Sequence, residues 1–356
     1  MTPTRIAVLG AGGLGKAAAK IIGMKRELVL AAICDSRGYV ASHAASNEGL
    51  DTEALATHTG DLVEGYRNAV AVHEQASQEN GSARAAVATQ AVFEARHCDD
   101  PIGAMIERSA DFDAVLVALP NLPNEFIPGV IRRFSESNRS LVFVDVLKRT
   151  RAVQMLFELD HLVKRSQSVV LTGCGATPGI LAAAAVLAAQ SFVAVEKVEI
   201  RWGVGIANWQ AYKSTIREDI AHLPGYTVEK AKAMSDAEVD ALLDRTNGIL
   251  ELEQMEHADD VLLARAGVVE RLDQVTVGGV MDTRRAKKPV STTMTLTGTT
   301  FEGRRSSHKF VLGDETTMAA NVIGPALGYL KRGLWLKAHG LFGIFGSTEF
   351  LPMVVK

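Results

Sequence analysis

Cysteine is scarce in this chain of 356 residues, which has only Cys34, Cys98 and Cys174. An odd number of widely spaced cysteines is typical neither of a disulfide framework nor of a zinc cluster. We therefore expect reduced thiols, no bound metal, and a cytoplasmic protein.

An excess of charge and long apolar runs are also missing. The 38 basic and 41 acidic residues give a net charge of -3, which provides no reason to expect binding to nucleic acid or to an anionic membrane. The longest apolar stretch, residues 180–189, is alanine-rich and too short to span a bilayer. No signal peptide is expected, because the N-terminus runs directly into a strand. A hydrophobic fraction of 47% is ordinary for a globular protein, and the length favours two domains.

A glycine-rich turn follows the first apolar segment, Arg5 to Gly10, and precedes an alanine-rich helix. Its pattern, G-x-G-x-x-G, is specific only when a strand precedes it and a helix follows it, as is the case here. The glycines would permit a tight turn and close approach of a pyrophosphate, and the helix N-terminus would favour the phosphate charge. The pattern predicts a dinucleotide site formed by Gly10, Gly12, Gly13, Leu14 and Gly15.

The second apolar segment, residues 28–34, ends in Asp35, Ser36 and Arg37. Asp35 is suited to the ribose hydroxyls of NAD, whereas Ser36 and Arg37 could hold the 2′-phosphate of NADP. The sequence leaves NAD and NADP open, and we expect that either is accepted.

Residues 113–119 form a third apolar segment, which leads into Leu119, Pro120 and Asn121. In a dinucleotide-binding fold this turn would lie along the nicotinamide ribose. An ordinary proline-rich turn explains the pattern equally well, so both interpretations remain open.

Lys148 follows a further apolar run, residues 141–144, which ends in Asp145. A helical span and a second run, residues 169–171, complete a βαβ pattern that breaks into T-G-C-G-A-T-P-G (172–179). Ligands bind beyond the carboxyl ends of such strands. If a helix capped by Thr177, with Pro178 in its first turn, points its N-terminus at Lys148, it would lower the pKa of the amine. A neutral amine attacks a ketone to form a Schiff base, although a lysine before a helix is more often simply solvated.

The sequence pattern of residues 176–315 predicts a second, α+β unit. Residues 195–202 alternate as an edge or half-buried strand, and residues 209–222 have a helical pattern. The basic cluster of Arg284, Arg285, Lys287 and Lys288 is either a solvated face or an anion site. Residues 42–106 are interpreted as an insertion without chemistry, with helical character from Ala83 to Ala95.

These features combine into an α/β fold with an N-terminal Rossmann domain and an α+β substrate domain. We place the first domain at residues 1–175, completed by a C-terminal helix within 316–356, and the second at residues 176–315. The sequence leaves the oligomeric state open.

The glycine turn and the 172–179 segment resemble saccharopine dehydrogenases and, more loosely, homoserine dehydrogenases. A closer resemblance covers nearly the whole chain and is carried by A-L-P-N-L-P-N (118–124), L-K-R-T (147–150), T-G-C-G-A-T-P-G (172–179), G-V-G-I-A-N-W (203–209), R-E-D-I-A-H-L-P-G-Y-T-V-E (217–229), M-E-H-A-D-D (255–260) and G-D-E-T-T-M-A-A-N (313–321). These segments resemble (S)-8-amino-7-oxononanoate synthases of the BioU type, a family of suicide enzymes in biotin synthesis.

The resemblance implies that the ε-amine of Lys148 condenses with the ketone of 8-amino-7-oxononanoate. NAD(P)H would reduce the imine, and the oxidised cofactor would take hydride from the lysine side of the nitrogen. Hydrolysis would release 7,8-diaminononanoate and leave allysine after a single turnover. CO2 or bicarbonate would carbamylate the 8-amino group. Asp145 would orient water or the lysine amine, and Arg217 or the arginines at 284 and 285 would bind the substrate carboxylate.

Two alternatives remain. One is a dehydrogenase of many turnovers in which Lys148 is only an acid–base group, and the other is a non-enzymatic dinucleotide sensor.

Overall fold

A computed structural model describes residues 2–43, 48–79, 93–121, 123–207, 209–313 and 316–356. Its strands are β1 (Thr4–Leu9), β2 (Leu28–Cys34), β3 (Gly38–Ser42), β4 (Phe93–His97), β5 (Ala114–Val117), β6 (Val142–Asp145), β7 (Val169–Thr172), β8 (Phe192–Gly205), β9 (Ile249–Leu252), β10 (Val275–Asp282), β11 (Thr292–Thr300), β12 (Arg305–Leu312) and β13 (Gly343–Gly346). Its α-helices are α1 (Gly13–Gly23), α2 (Thr52–Thr57), α3 (Leu62–Glu79), α4 (Pro101–Glu107), α5 (Phe126–Glu136), α6 (Thr150–Phe157), α7 (Asp160–Arg165), α8 (Ile180–Ala189), α9 (Lys213–Ile220), α10 (Val228–Ala233), α11 (Asp236–Arg245), α12 (Asp259–Arg265) and α13 (Met318–Ala338).

Eight strands form the first sheet in the order β13-β7-β6-β5-β1-β2-β3-β4. The six strands from β13 to β2 are parallel, and their central members β5, β6 and β7 are buried along their whole length. Strands buried on both faces need continuous apolar runs, which explains the unbroken Val, Leu and Ile segments in the sequence. The Rossmann architecture predicted from the sequence is therefore confirmed.

Two antiparallel strands extend this sheet, and the second of them, β4, lies within the region from residue 42 to residue 106. β3 pairs antiparallel with β2, and β4 pairs antiparallel with β3. Most of the alanine-rich stretch from Ala83 to Ala95 lies outside the described residues. The predicted helical character is wrong for the last part of this stretch, because residues 93–97 form the strand β4. Within β4, only Ala95 is buried against the core.

Five strands form the second sheet in the order β12-β11-β8-β10-β9. β8 lies at its centre, between β11 and β10. The prediction of an edge strand is wrong, but the half-buried pattern is right, because α8 covers one face of β8 while Glu199 and Arg201 are exposed on the other. Alternation alone cannot distinguish an edge strand from a central strand with one open face.

The C-terminal segment returns to the first sheet, as predicted. α13 packs on β6, β7 and α1, and β13 pairs with β7. A Cβ added at Gly333 would lie 2.5 Å from the Val142 side chain, so the helix approaches the sheet closely. The boundaries at residues 175 and 315 remain a prediction.

No helix in the described part of the chain is both long and apolar enough to cross a membrane. The described residues also contain no group of three or more His, Cys, Asp or Glu side chains placed to hold a metal ion.

Asp145 joins the carboxyl ends of β6 and β7. Its Oδ1 accepts hydrogen bonds from the backbone N–H of Leu147 (3.0 Å) and Gly173 (2.9 Å) and from the Thr172 hydroxyl (2.9 Å). Its Oδ2 is buried and has no hydrogen-bond partner in the described part of the chain. Burial raises the pKa of the Asp145 carboxyl to about 6, because its effect outweighs that of the three hydrogen bonds, which lower the pKa.

Because of Asp145, the free energy of unfolding should fall as the pH rises from about 4 to about 6. In this range the unfolded chain has already lost the proton that the folded protein still holds, so rising pH favours unfolding. Two pKa units correspond to about 3 kcal/mol. Chemical denaturation at pH 4 and pH 7 should therefore show a smaller loss of stability for Asp145→Asn than for the unmodified chain. Parallel pH dependences of the two proteins would contradict this.

Candidate active site

Lys148 lies three residues beyond the end of β6, and its side chain is 18% exposed. Its Nζ donates a hydrogen bond of 2.8 Å to Asp219 Oδ1 and lies 3.5 Å from Glu218 Oε2. The Lys148 carbonyl accepts a 2.8 Å bond from the backbone N–H of Ala258. The backbone bond fixes the turn, and the two carboxylates of α9 fix the position of the amine.

These carboxylates reverse the expected effect on the lysine. Burial lowers the pKa of the Lys148 amine, but the charges of Asp219 and Glu218 outweigh burial and raise it above its ordinary value. The prediction that the N-terminus of α8 lowers this pKa is therefore wrong for the free protein. The predicted cap is wrong too, because α8 is capped by Gly179, and the Thr177 hydroxyl instead donates to Asp259 at 2.6 Å.

Glu218 and Asp219 are functional candidates that sequence reasoning missed. They are 6% and 2% exposed, although acidic residues are rarely buried unless they are paired. Asp219 and the buried Ile220 follow the buried Ile216 by three and four residues, a spacing that places all three on one side of α9. An acid on a core-facing helical stripe is a signal of a buried cation, although it does not identify the cation.

Arg217 points elsewhere. Its Nη2 donates to Asp236 Oδ1 at 2.7 Å and to the Met234 carbonyl at 3.1 Å, and its guanidinium lies over the Trp209 ring. Successive helical residues are about 100° apart, so Arg217 and Asp219, which are two positions apart, lie on nearly opposite sides of α9. Binding of a substrate carboxylate by Arg217 would require this ion pair to open, and its role remains a prediction.

Asp145 does not hold the lysine amine. Its hydrogen bonds go to residues 147, 172 and 173, and the position expected of it beside the amine is taken by Asp219. Orientation of water by Asp145 remains a prediction.

Arg149 is 8% exposed and lies between the lysine turn and α9. Its Nε donates to Asn124 Oδ1 at 3.1 Å, and its Nη2 lies 2.5 Å from Glu256 Oε2. Its Nη1 lies 4.0 Å from Glu218 Oε1. Arg149 thus contributes a buried positive charge close to that of Lys148.

His222 is a further residue that the sequence did not suggest. Burial lowers the pKa of the His222 imidazole most, and the charge of Lys148 lowers it further. The effect of that charge indicates that His222 lies near the amine. His222 also lines a cavity of about 330 Å³ together with Pro224, Glu251, Glu253 and Gln254. A neutral imidazole at physiological pH could exchange protons with a bound ligand.

The glycine turn has the predicted shape. Gly10 has a φ of 106°, and a Cβ there would lie 2.4 Å from the Ala118 carbonyl oxygen. A Cβ at Gly15 would lie 1.8 Å from the Gly10 carbonyl oxygen, whereas a Cβ at Gly12 would meet nothing within 4 Å. Two glycines are therefore required by the fold, while Gly12 faces open space at the start of α1, beside Gly13 and Leu14.

Asp35 lies in the turn between β2 and β3. Its Oδ1 accepts from the backbone N–H groups of Arg37 (2.7 Å) and Gly38 (3.1 Å). The Ser36 and Arg37 side chains are exposed, and Arg37 lies 3.9 Å from Asp61. All three predicted residues thus stand at the end of β2, as the ribose site requires.

The turn after β5 reaches the lysine site. Asn121 Nδ2 donates a 3.4 Å hydrogen bond to Glu218 Oε2, the oxygen that lies 3.5 Å from Lys148 Nζ. Leu119 is half-buried and Pro120 is exposed. The predicted nicotinamide turn and the predicted reactive amine are therefore neighbours that share one carboxylate oxygen.

The basic cluster around residue 284 is largely solvated. Arg284 pairs with Asp244, and Arg285, whose side chain is 70% exposed, lies 3.7 Å from Asp282. Lys288 donates to the Gly313 carbonyl at 2.8 Å. The pairing favours the solvated interpretation, and an anion site there remains a prediction.

No family model matches the chain. It is 42% identical, over 359 aligned residues, to the (S)-8-amino-7-oxononanoate synthase BioU of Haloferax mediterranei, with 99% of each protein covered.

Solved structures show the same fold at low identity. The C. glutamicum DAP dehydrogenase in complex with DAP is 16% identical, with a TM-score of 0.53 and coverage of 98% of this chain and 94% of that one. The Saccharomyces cerevisiae saccharopine dehydrogenase (L-Glu forming) is 10% identical, with a TM-score of 0.53 and coverage of 97% and 94%. The identity to the Haloferax protein over the whole length shows that this chain belongs to the BioU family of (S)-8-amino-7-oxononanoate synthases.

Proposed function

We propose that this protein acts in biotin biosynthesis and converts 8-amino-7-oxononanoate to 7,8-diaminononanoate with the Lys148 amine as the nitrogen donor. The observation that carries the proposal is the enclosed Lys148 amine, held by Asp219 and Glu218 beside the Asn121 turn. Membership of the BioU family supports the choice of compound, because 8-amino-7-oxononanoate appears in the name of the Haloferax relative.

A nicotinamide dinucleotide fits the glycine turn. Gly12 leaves open space at the N-terminus of α1, where backbone N–H groups favour a pyrophosphate, and Asp35 stands at the end of β2 for the ribose. When bound, NADH or NADPH would supply a hydride to the carbon beside the transferred nitrogen, and the oxidised form would take one back.

Gly12→Ala should weaken NADPH binding at least about tenfold without lowering stability. The added methyl group fits the free protein, because Gly12 has a φ of -73° and open space around its Cβ. It would stand where the pyrophosphate approaches. Gly129→Ala, also without a Cβ contact but inside α5, is the matched control and should bind normally. Fluorescence titration with NADPH measures both, and unchanged affinity in Gly12→Ala would place the cofactor elsewhere.

Asp219 is positioned to accept the proton of the Lys148 ammonium. The ammonium must become an amine before it attacks the ketone, and Asp219 Oδ1 already accepts its hydrogen bond at 2.8 Å. Condensation forms the C–N bond and expels the ketone oxygen as water. A hydride and a proton then give a secondary amine.

The second half of the proposed reaction leaves the enzyme chemically altered at Lys148. Loss of a hydride from Cε of Lys148 leaves an imine on the lysine side of the nitrogen. Addition of water breaks the Cε–N bond, and the electron pair stays with the nitrogen of the departing diamine. Lys148 is left as the aldehyde allysine, and the two hydride transfers cancel. Each chain would therefore complete one turnover.

We extend the proposal to CO2 or bicarbonate as a co-substrate, which would convert the substrate's 8-amino group to a carbamate. The resemblance to the family suggests it. Product formation should then fall when dissolved CO2 is removed and recover when bicarbonate is added.

Isotope tracing tests the nitrogen source. Protein produced with ε-¹⁵N-lysine should transfer ¹⁵N to the diamine when it is incubated with unlabelled substrate, NADPH and bicarbonate. A diamine without ¹⁵N would show that the nitrogen comes from another donor. Unlabelled ammonium is included in the assay, so that a diamine formed from free ammonium would carry no ¹⁵N.

The raised pKa of Lys148 gives one alternative specific support. A lysine that stays protonated is suited to donate a proton to a carbonyl oxygen, as in a dehydrogenase of many turnovers. Such an enzyme would form more product molecules than there are protein chains, and its lysine would remain intact.

A further inference from the structure

Glu218 joins three elements of the site. Its Oε2 lies 3.5 Å from Lys148 Nζ and accepts a 3.4 Å hydrogen bond from Asn121 Nδ2. Its other oxygen, Oε1, faces Arg149 Nη1 at 4.0 Å. One carboxylate thus reaches the amine with one oxygen and the buried guanidinium with the other.

The facing atoms of Glu218 and Arg149 are unpaired by hydrogen bonds. Both Glu218 Oε1 and Arg149 Nη1 are buried and have no hydrogen-bond partner among the residues that the structure describes, and the two residues are only 6% and 8% exposed. A buried polar atom left without a partner costs about 1–3 kcal/mol, so such atoms normally serve a ligand or a water molecule. The other polar atoms of the guanidinium are engaged by Asn124 and Glu256.

The separation suits one water molecule. At 4.0 Å the two atoms are too far apart for a direct hydrogen bond, but a water oxygen can lie about 2.8 Å from each of them. Arg149 would donate to that oxygen, and Glu218 would accept one of its protons. The charge-assisted contacts would leave a lone pair of the water free to react.

Resting on the proposed function, we propose that Glu218 is the general base for hydrolysis of the imine on Lys148 and that Arg149 positions the attacking water. Asp219, by contrast, is committed to the amine itself through its 2.8 Å bond. The division assigns the first proton transfer to Asp219 and the hydrolytic one to Glu218.

The step balances. The water oxygen forms a bond to Cε of Lys148, and Glu218 takes one proton of the water. The C=N electron pair moves to nitrogen, which gives a carbinolamine. Glu218 returns the proton to that nitrogen, and the Cε–N bond breaks with its electron pair on the departing diamine. Loss of the hydroxyl proton leaves the allysine aldehyde, and no oxidant or reductant is needed.

Glu218→Gln should trap the lysine adduct. The amide keeps the shape of the side chain but cannot accept the proton, and removal of a general base slows its step by about 10²–10⁴-fold. The protein would be mixed with 8-amino-7-oxononanoate, NADPH and bicarbonate, quenched with borohydride at graded times, and digested for peptide mass spectrometry. The expected result is a Lys148 peptide that carries the substrate skeleton, with diamine release slowed at least about 100-fold.

Two variants control the experiment. Glu196→Gln removes the carboxylate of another Arg–Glu pair, the exposed one with Arg305, and leaves the contacts of Glu218 intact, so it should form allysine within a few fold of the unmodified rate. Glu218→Asp keeps the charge with a shorter reach, so it should release the diamine faster than Glu218→Gln. It also tests the role if the glutamine variant does not fold.

Allysine formed by Glu218→Gln at the unmodified rate would overturn the inference. So would a Glu218→Gln protein with neither adduct nor allysine, since Glu218 would then act before hydrolysis. Both outcomes leave Lys148 as the donor in the unmodified chain. If the unmodified chain itself forms neither species, the proposed function fails together with the inference.

Discussion

Lys148→Arg should abolish formation of 7,8-diaminononanoate while the protein still folds and binds NADPH. The guanidinium cannot serve as the nucleophilic amine, because it stays protonated throughout the accessible pH range. It keeps the positive charge beside Asp219 and Glu218, so two buried carboxylates are not left unpaired. Loss of that charge would cost about 3–5 kcal/mol and would confuse a catalytic effect with unfolding.

Lys164→Arg is the matched control, because Lys164 also pairs with an aspartate but is 58% exposed on α7. Product would be measured by mass spectrometry after a single addition of substrate. More than about 1% of the unmodified yield from Lys148→Arg, with no contaminating enzyme, would remove Lys148 from the role of donor.

Asp219→Asn should change the lysine and the reaction in opposite directions. Since the charge of Asp219 raises the pKa of Lys148, its removal should lower that pKa. The amine would then react with acetic anhydride at lower pH. Condensation with the substrate should nevertheless slow by about 10²–10⁴-fold, because the amide cannot accept the ammonium proton.

The two effects can be measured on one peptide. Acetylation of Lys148 at graded pH gives the pKa, and adduct formation with substrate gives the condensation rate. Asp236→Asn, which removes the carboxylate paired with Arg217 but leaves the contacts of Lys148, should change neither by more than a few fold. If acetylation and condensation were both faster in Asp219→Asn, Asp219 would only keep the Lys148 amine protonated and would not act as the proton acceptor.

The Rossmann half was predictable because its signals are local. An apolar strand, a glycine turn and a helix are contiguous in the chain, so Gly10 and Gly15 could be assigned without tertiary contacts. Lys148 could be placed as well, because the carboxyl end of β6 follows from the apolar run before it.

The surroundings of Lys148 were not predictable, because they come from distant segments. Asp219 is 71 residues away in the sequence, and Asn121 reaches Glu218 across 97 residues. The sequence does not show which residues of α9 face the amine, so Asp219 and Glu218 were missed. Their effect on the pKa of the amine was missed for the same reason.

The central claim, that Lys148 is consumed as the nitrogen donor, is tested most directly by peptide mass spectrometry on the segment that contains it. The protein would be incubated with 8-amino-7-oxononanoate, NADPH and bicarbonate, and diamine would be counted per chain. We expect allysine at residue 148 and no more than one diamine per chain. An intact lysine with many diamines per chain would contradict the account and identify an ordinary dehydrogenase.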